Sequence, residues 1–93
     1  MAVLSLPSTL THDQAQACLQ HLQAWIAQLP AGAAVQIDAS ALAVFDSSAL
    51  AVLLGSRRAA LAAGRQLQLS GLSAPVHSLA RLYGVDGLLQ TAA

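Results

Sequence analysis

Two neighbouring hydroxyl side chains, Ser47 and Ser48, are the strongest candidates for chemistry in this sequence. They follow a phenylalanine and an aspartate within residues 45–49. A serine becomes a nucleophile when a base and an orienting acid activate it, and His77 and Asp38 supply those residue types. The segment lacks the Gly-x-Ser-x-Gly turn of α/β hydrolases. Ser and Asp before a helix commonly cap it, because their oxygens accept its free N–H groups. We therefore expect a helix cap and no catalytic residue.

Histidine and cysteine residues are too dispersed in the sequence to hold a metal ion. His12 and His21 are nine residues apart, which places them on opposite sides of a helix, and His77 is distant from both. Cys18 is the only cysteine, so an internal disulfide is excluded and a reducing compartment fits. Glycine-rich phosphate-binding motifs are also absent. The free N–H groups of a helix beginning near Ser47 leave nucleotide binding open, but we expect no metal and no cofactor.

The composition is unusually apolar for a chain of this length. Hydrophobic residues make up 56% of the 93 residues and charged residues only 9%, whereas about a quarter of an ordinary soluble domain is charged. The length corresponds to one domain over residues 1–93. Four basic and four acidic side chains cancel, and only three residues are aromatic. We expect no nucleic acid partner, because both a basic surface and base-stacking platforms are missing.

The apolar residues do not form a membrane-spanning run. None approaches the roughly 18 residues that a membrane span requires, since the polar residues at 56–58 interrupt the longest run. No basic region precedes an apolar segment at the amino terminus, which argues against a signal peptide. We therefore expect a cytoplasmic protein without direct membrane insertion.

The spacing of apolar residues predicts alternating strands and helices. The predicted elements are a strand over 2–6, a helix from Thr11 to about Leu29, a strand over 35–37, a helix over 47–63, a strand over 66–69, a helix from Ser73 to Gly84, and a short turn-and-helix tail over 85–89. Alternation of this kind predicts an α/β fold in which parallel strands form one sheet with right-handed crossovers.

The predicted helix over 47–63 is apolar on nearly all sides. Between Ala49 and Gly64 its only strongly polar side chains are Ser56, Arg57 and Arg58. A helix of this kind must be covered on nearly all sides, and one sheet covers only one of them. We expect the remaining surface of this helix to dock against another polypeptide, with the two arginines either solvated or at the rim of that contact.

The start of this helix resembles the signature of STAS domains, the family of anti-sigma-factor antagonists and transporter regulatory modules. The resemblance rests on Asp38-x-Ser40 after the strand and on Asp-Ser-Ser-Ala-Leu at residues 46–50. Ala49 departs from the pattern, since the family more often has Gly there. The resemblance implies a small, mostly parallel sheet with helices packed on it, a non-enzymatic role, and a phosphorylation or partner switch at Ser48, with Ser47 beside it. It also implies that the family's first edge strand is missing, so that a sheet edge is exposed.

Two further segments, residues 4–7 and 78–85, resemble the small STAS subunit of Mla phospholipid-transport ABC complexes. This likeness implies an accessory subunit bound to a cytoplasmic ATPase at the periphery of an inner-membrane complex, with Ser47 at the ATPase-facing site. The alternative is an anti-sigma-factor antagonist that binds its kinase only while Ser48 is unphosphorylated. A second copy of the chain, bound through exposed apolar surface or the sheet edge, is a further expected partner. The expected partner interface comprises Asp46, Ser47, Ser48, Leu50, Ala51, Leu54, Gly55 and Arg58.

Overall fold

The computed structural model describes residues 2–30, 32–85 and 87. Within these residues the elements follow one another as strands and helices in near alternation. They are β1 (Ala2–Ser5), β2 (Thr9–Leu10), α1 (His12–Gln28), β3 (Val35–Asp38), β4 (Val44–Phe45), α2 (Ser47–Ala62), β5 (Leu67–Ser70) and α3 (Ala74–Leu82). The predicted α/β class and the predicted helices are confirmed. Most of the tail predicted over 85–89 lies outside the described residues.

Three parallel strands form the main sheet, in the order β1-β3-β5. The register places Leu4 opposite Ile37 and Ile37 opposite Leu69, so these side chains share one face, which joins the hydrophobic core. The opposite face is polar at its centre, where Gln36 Nε2 donates to Ser70 Oγ at 3.0 Å. Because the strand order follows the chain order, right-handed crossovers place α1 and α2 on the same face. In the described residues, β1 and β5 are the edges of this sheet.

A second, two-stranded pairing corrects the expectation of a single sheet. Strands β2 and β4 are parallel, with Thr9 opposite Val44 and Leu10 opposite Phe45. The sequence predicted connections at both places, because strands of two residues are too short to show alternation. Strand β2 comes directly before α1, and strand β4 comes directly before α2. It therefore brings the starts of the two helices together.

Helix α2 packs against α1 and, through the hydrophobic core, against the sheet. Its buried residues are Ala49, Leu50, Val52, Leu53, Gly55, Ser56 and Ala60. On the α1 side, a Cβ at Gly55 would lie 2.7 Å from Leu19 Cδ1, so the glycine permits close approach of the two helices. The chain itself thus covers a second side of α2, so less of the helix surface is left for a partner than we expected from the sequence. Burial of each large aliphatic side chain in this core contributes about 1.5–3 kcal/mol.

The ends of α2 match the sequence prediction closely. It begins at Ser47 with Asp46 as its N-cap and ends at Ala62, one residue before the predicted end. Gly64 follows with φ of +69°, the left-handed conformation that glycine commonly adopts just after the end of a helix. Helix α1 begins after Thr11, whose N–H and hydroxyl both donate to Gln14 Oε1, at 3.0 and 2.7 Å.

A buried arginine, for which we had no expectation from the sequence, binds the carbonyl groups at the carboxyl end of α1. Arg65, only 8% exposed, donates from Nη2 to the carbonyl of Leu29 at 2.6 Å. Its Nη1 donates to the carbonyls of Pro30 at 2.6 Å and Ala33 at 3.1 Å. The carbonyls at a helix end lack partners within the helix and carry partial negative charge, so a cation is favourable there. The contact joins the segment after α2 to the segment after α1.

Candidate protein-interaction site

One carboxylate, that of Asp46, caps two helices. Its Oδ1 accepts the N–H of Ser48 at 2.8 Å, and its Oδ2 accepts the N–H of His12 at 3.1 Å. His12 is the first residue of α1. The Ser48 bond, with a smaller contribution from His12, lowers the pKa of the Asp46 carboxyl below its usual value. The predicted cap is confirmed, whereas the bond to α1 has no signal in the sequence, since 34 residues separate its partners.

The two serines at the start of α2 are accessible to different extents. Ser47 is exposed and Ser48 is half-buried. In the described residues no hydrogen bond joins either serine to His77, the base considered for a nucleophile. Asp38, the candidate acid, instead accepts the N–H of Ser40 at 2.9 Å, and this bond lowers its pKa. The start of α2 thus presents hydroxyl groups to solvent without a catalytic dyad around them.

Four of the expected interface residues form a stripe along the accessible side of α2. Ser47, Ala51 and Arg58 are exposed and Leu54 is half-buried. They recur at steps of four, three and four residues, which keeps them on one face of a helix. We call these four residues the α2 stripe.

Two other expected interface residues do not lie on the α2 stripe, because the chain itself buries them. Leu50 is 4% exposed and belongs to the hydrophobic core. Gly55 is buried against Leu19 of α1. A helix packed on two sides exposes only the remaining one, so neither residue belongs to the α2 stripe.

A groove runs beside the stripe, between α1 and α2. Its volume is about 490 Å³. The lining residues are Leu19, Gln23, Ala51, Gly55, Arg58, Ala59 and Ala62. The groove is largely apolar, and its charged group is the guanidinium of Arg58. The sequence did not predict this groove, because it forms only where α1 packs against Gly55 of α2.

Metal-binding clusters are absent from the part of the chain that the structure describes, where no three His, Cys, Asp or Glu side chains converge. Cys18 is half-buried, and this burial raises the pKa of its thiol. His12 Nε2 lies 3.5 Å from Asp13 Oδ1, with both side chains largely exposed. Among the described helices, none has both the length and the apolar character to cross a membrane.

Comparison with known families identifies the fold. A family model described as "Mlab, STAS domain" matches residues 1–90 of the chain. The chain belongs to the STAS domain family. Its parallel sheets and packed helices are those of a single STAS domain, as expected from residues 38–50. STAS domains are generally non-enzymatic modules that act in protein interaction or as anti-sigma-factor antagonists. No curated protein matches the chain significantly.

Proposed function

We propose that this STAS domain is an accessory subunit that binds the ATPase of an Mla-type phospholipid-transport ABC complex and supports its activity. The observation that carries the proposal is the accessible α2 stripe in a chain whose family model bears the Mlab description. In this role the protein works in the cytoplasm, at the periphery of an inner-membrane complex. It performs no chemistry of its own.

The physical properties of the stripe suit a protein contact. Ala51 and Leu54 give an apolar centre, with a hydroxyl at Ser47 on one end and a cation at Arg58 on the other. A small residue at the centre lets a partner approach the helix closely, and polar groups at the ends provide hydrogen bonds and orientation. Asp46 holds the start of the stripe in place by capping both helices. The surface is therefore preorganised for docking.

The experiment that tests the proposal is co-elution of the purified chain with its cognate ATPase. The double variant Ser47→Asp, Ser48→Asp introduces two negative charges where the partner is expected to dock. Carboxylates in the first turn favour the helix dipole, so α2 is expected to stay folded. We expect loss of co-elution and of the subunit's effect on ATP hydrolysis. The control Ser78→Asp places one added carboxylate on an exposed position of α3 and should leave both unchanged. Unchanged co-elution of the double variant would contradict the proposed contact.

The accessibility of the two serines also supports a second candidate, an anti-sigma-factor antagonist. Ser48, at the position that the family phosphorylates, is half-buried rather than sealed. A phosphate there would add nearly two negative charges beside the Asp46 carboxylate and would repel a docked partner. Incubation with the cognate kinase and ATP, followed by intact mass, tests this role. An unchanged mass, or a phosphate on the Ser48→Ala variant, would exclude it.

A further inference from the structure

The groove between α1 and α2 extends well beyond the serines at the start of α2. Ala51, Gly55 and Ala59 line its α2 side at steps of four residues, and Ala62 closes its far end. From 51 to 62 a helix rises about 16 Å, which corresponds to three turns. Small side chains along this length leave the helix backbone close to the surface. The α2 side of the groove is therefore about as long as a helix of three turns.

Among the residues that the structure describes, no carboxylate pairs with the cation on the wall of the groove. Arg58 is exposed, and α2 contains no acidic residue. Among the described residues, the only close approach of a basic side chain to a carboxylate is that of His12 to Asp13, at the start of α1. An arginine beside an apolar surface favours a carboxylate, because the paired guanidinium and carboxylate form strong, oriented hydrogen bonds. The occupant that complements this groove is therefore apolar on one face and acidic at its edge.

A second copy of the chain does not offer such a helix in the described residues. Helix α3 has an apolar face, but its charged residue is Arg81 and it contains no acid. Helix α1 carries one acid, Asp13, in its first turn. The carboxylate of Asp46 is already occupied by the two helix starts that it caps. Charge complementarity thus favours a different protein over a second copy.

We propose that this groove binds an amphipathic helix of the ATPase partner, about three turns long, whose apolar face covers Ala51 and Ala59 and whose edge places a carboxylate on Arg58. This inference rests on the proposed function, because the same partner supplies the helix. It adds a second contact to the one at Ser47, on the far half of α2. An amphipathic helix in an apolar groove is a common mode of protein recognition.

The test measures the affinity of the assembled complex by biolayer interferometry, with the cognate ATPase immobilised. Arg58→Glu reverses the charge on the wall of the groove, and Ala62→Trp fills its far end from an exposed position. We expect each variant to weaken binding about tenfold or more, as for the loss of an interface anchor. Matched controls are Arg81→Glu on α3 and Ala17→Trp on the opposite face of α1, both at exposed positions. They should bind within about twofold of the wild type, as substitutions outside an interface do.

A charge exchange identifies the partner's carboxylate. Acidic residues on the surface helices of the ATPase are changed singly to Arg, and each variant is tested against Arg58→Glu. Restored binding at one position is the expected result. Restoration at none of these positions would overturn the pairing with Arg58.

The other outcomes separate the groove from the proposed function. If the Ser47→Asp, Ser48→Asp variant loses binding while both groove variants bind like the wild type, the groove contact is overturned and the proposed function stands. If the wild-type chain does not bind the ATPase, the proposed function and the groove contact are both overturned. A wild-type dimer in light scattering that Ala62→Trp converts to monomers would assign the groove to a second copy. Saturable binding of sodium oleate that Arg58→Glu removes, with unchanged ATPase affinity, would assign it to a fatty acid.

Discussion

Replacement of the buried arginine should destabilise the whole domain. In the Arg65→Met variant the guanidinium is lost, while an unbranched apolar side chain replaces the stem of the arginine. The substitution removes the hydrogen bonds to the carbonyls of Leu29, Pro30 and Ala33. Without them, the segment after α1 is no longer held to the segment after α2. We expect a lower free energy of unfolding and an unchanged fold.

The magnitude follows from the three contacts. A hydrogen bond to a charged group contributes about 1.5–3 kcal/mol. Pro30 is exposed, so water can replace the guanidinium at its carbonyl, and the buried Nε of Arg65 has no hydrogen-bond partner in the described residues. Burial of the cation itself is unfavourable and offsets part of the gain. The net loss should be about 3 kcal/mol, from a total of about 5–14 kcal/mol for a domain of this length.

Urea unfolding followed by far-ultraviolet circular dichroism measures this loss. In thermal unfolding, the melting temperature of Arg65→Met should fall by more than about 10 °C, since each kcal/mol lost corresponds to about 4–8 °C in a small domain. Arg65→Lys should lie between the wild type and Arg65→Met, because an ammonium group cannot reach the three carbonyls with a planar fork. The control Arg81→Met removes an exposed arginine from α3 and should change stability by about 0.5 kcal/mol or less. If Arg65→Met is as stable as this control, the reasoning is refuted.

Two further predictions concern the segments that position the site. The Asp46 carboxyl has a pKa below its usual 3.8 in the folded chain, so its contribution to stability is present above that value and is lost as the pH falls through the folded pKa. Acidification towards and below about pH 4 should therefore lower the urea midpoint less in Asp46→Asn than in the wild type. An identical acid dependence of the two proteins would contradict the double cap. Gly71 has φ of +73°, and a Cβ there would lie 2.8 Å from the backbone nitrogen of Ser40. Gly71→Ala should lower the free energy of unfolding, measured in urea, by about 2 kcal/mol or more. The loss should be clearly larger than in Gly64→Ala, because Gly64 has a similar φ of +69° but a Cβ there would meet no atom within 4 Å. Equal losses would show that crowding by Ser40 is unimportant.

Local features of this domain were predictable because they depend on residues a few positions apart. The cap of α2 joins Asp46 to Ser48, and the left-handed Gly64 lies just beyond the helix end. The bonds between Thr11 and Gln14 at the start of α1 likewise span three residues. Interactions over such short distances leave a pattern in the order of residue types, and the pattern predicted the helix starts.

The features that could not be predicted join distant parts of the chain. The β2–β4 pairing, the bond from His12 to Asp46 and the contacts of Arg65 all link residues more than thirty positions apart. Strands of two residues have no periodicity, and an arginine that binds carbonyls requires no complementary residue type. The sequence contained no signal for either.

The candidate site shows the same division between sequence and structure. Residue types and spacing by themselves determined that an apolar helix begins with Asp46, Ser47 and Ser48 and that parallel strands support it. Only the tertiary structure decided which side of that helix remains accessible, because Leu50 is buried in the hydrophobic core and α1 covers Gly55. Periodicity identifies the apolar faces of a helix, but which of them are buried depends on where the other elements pack.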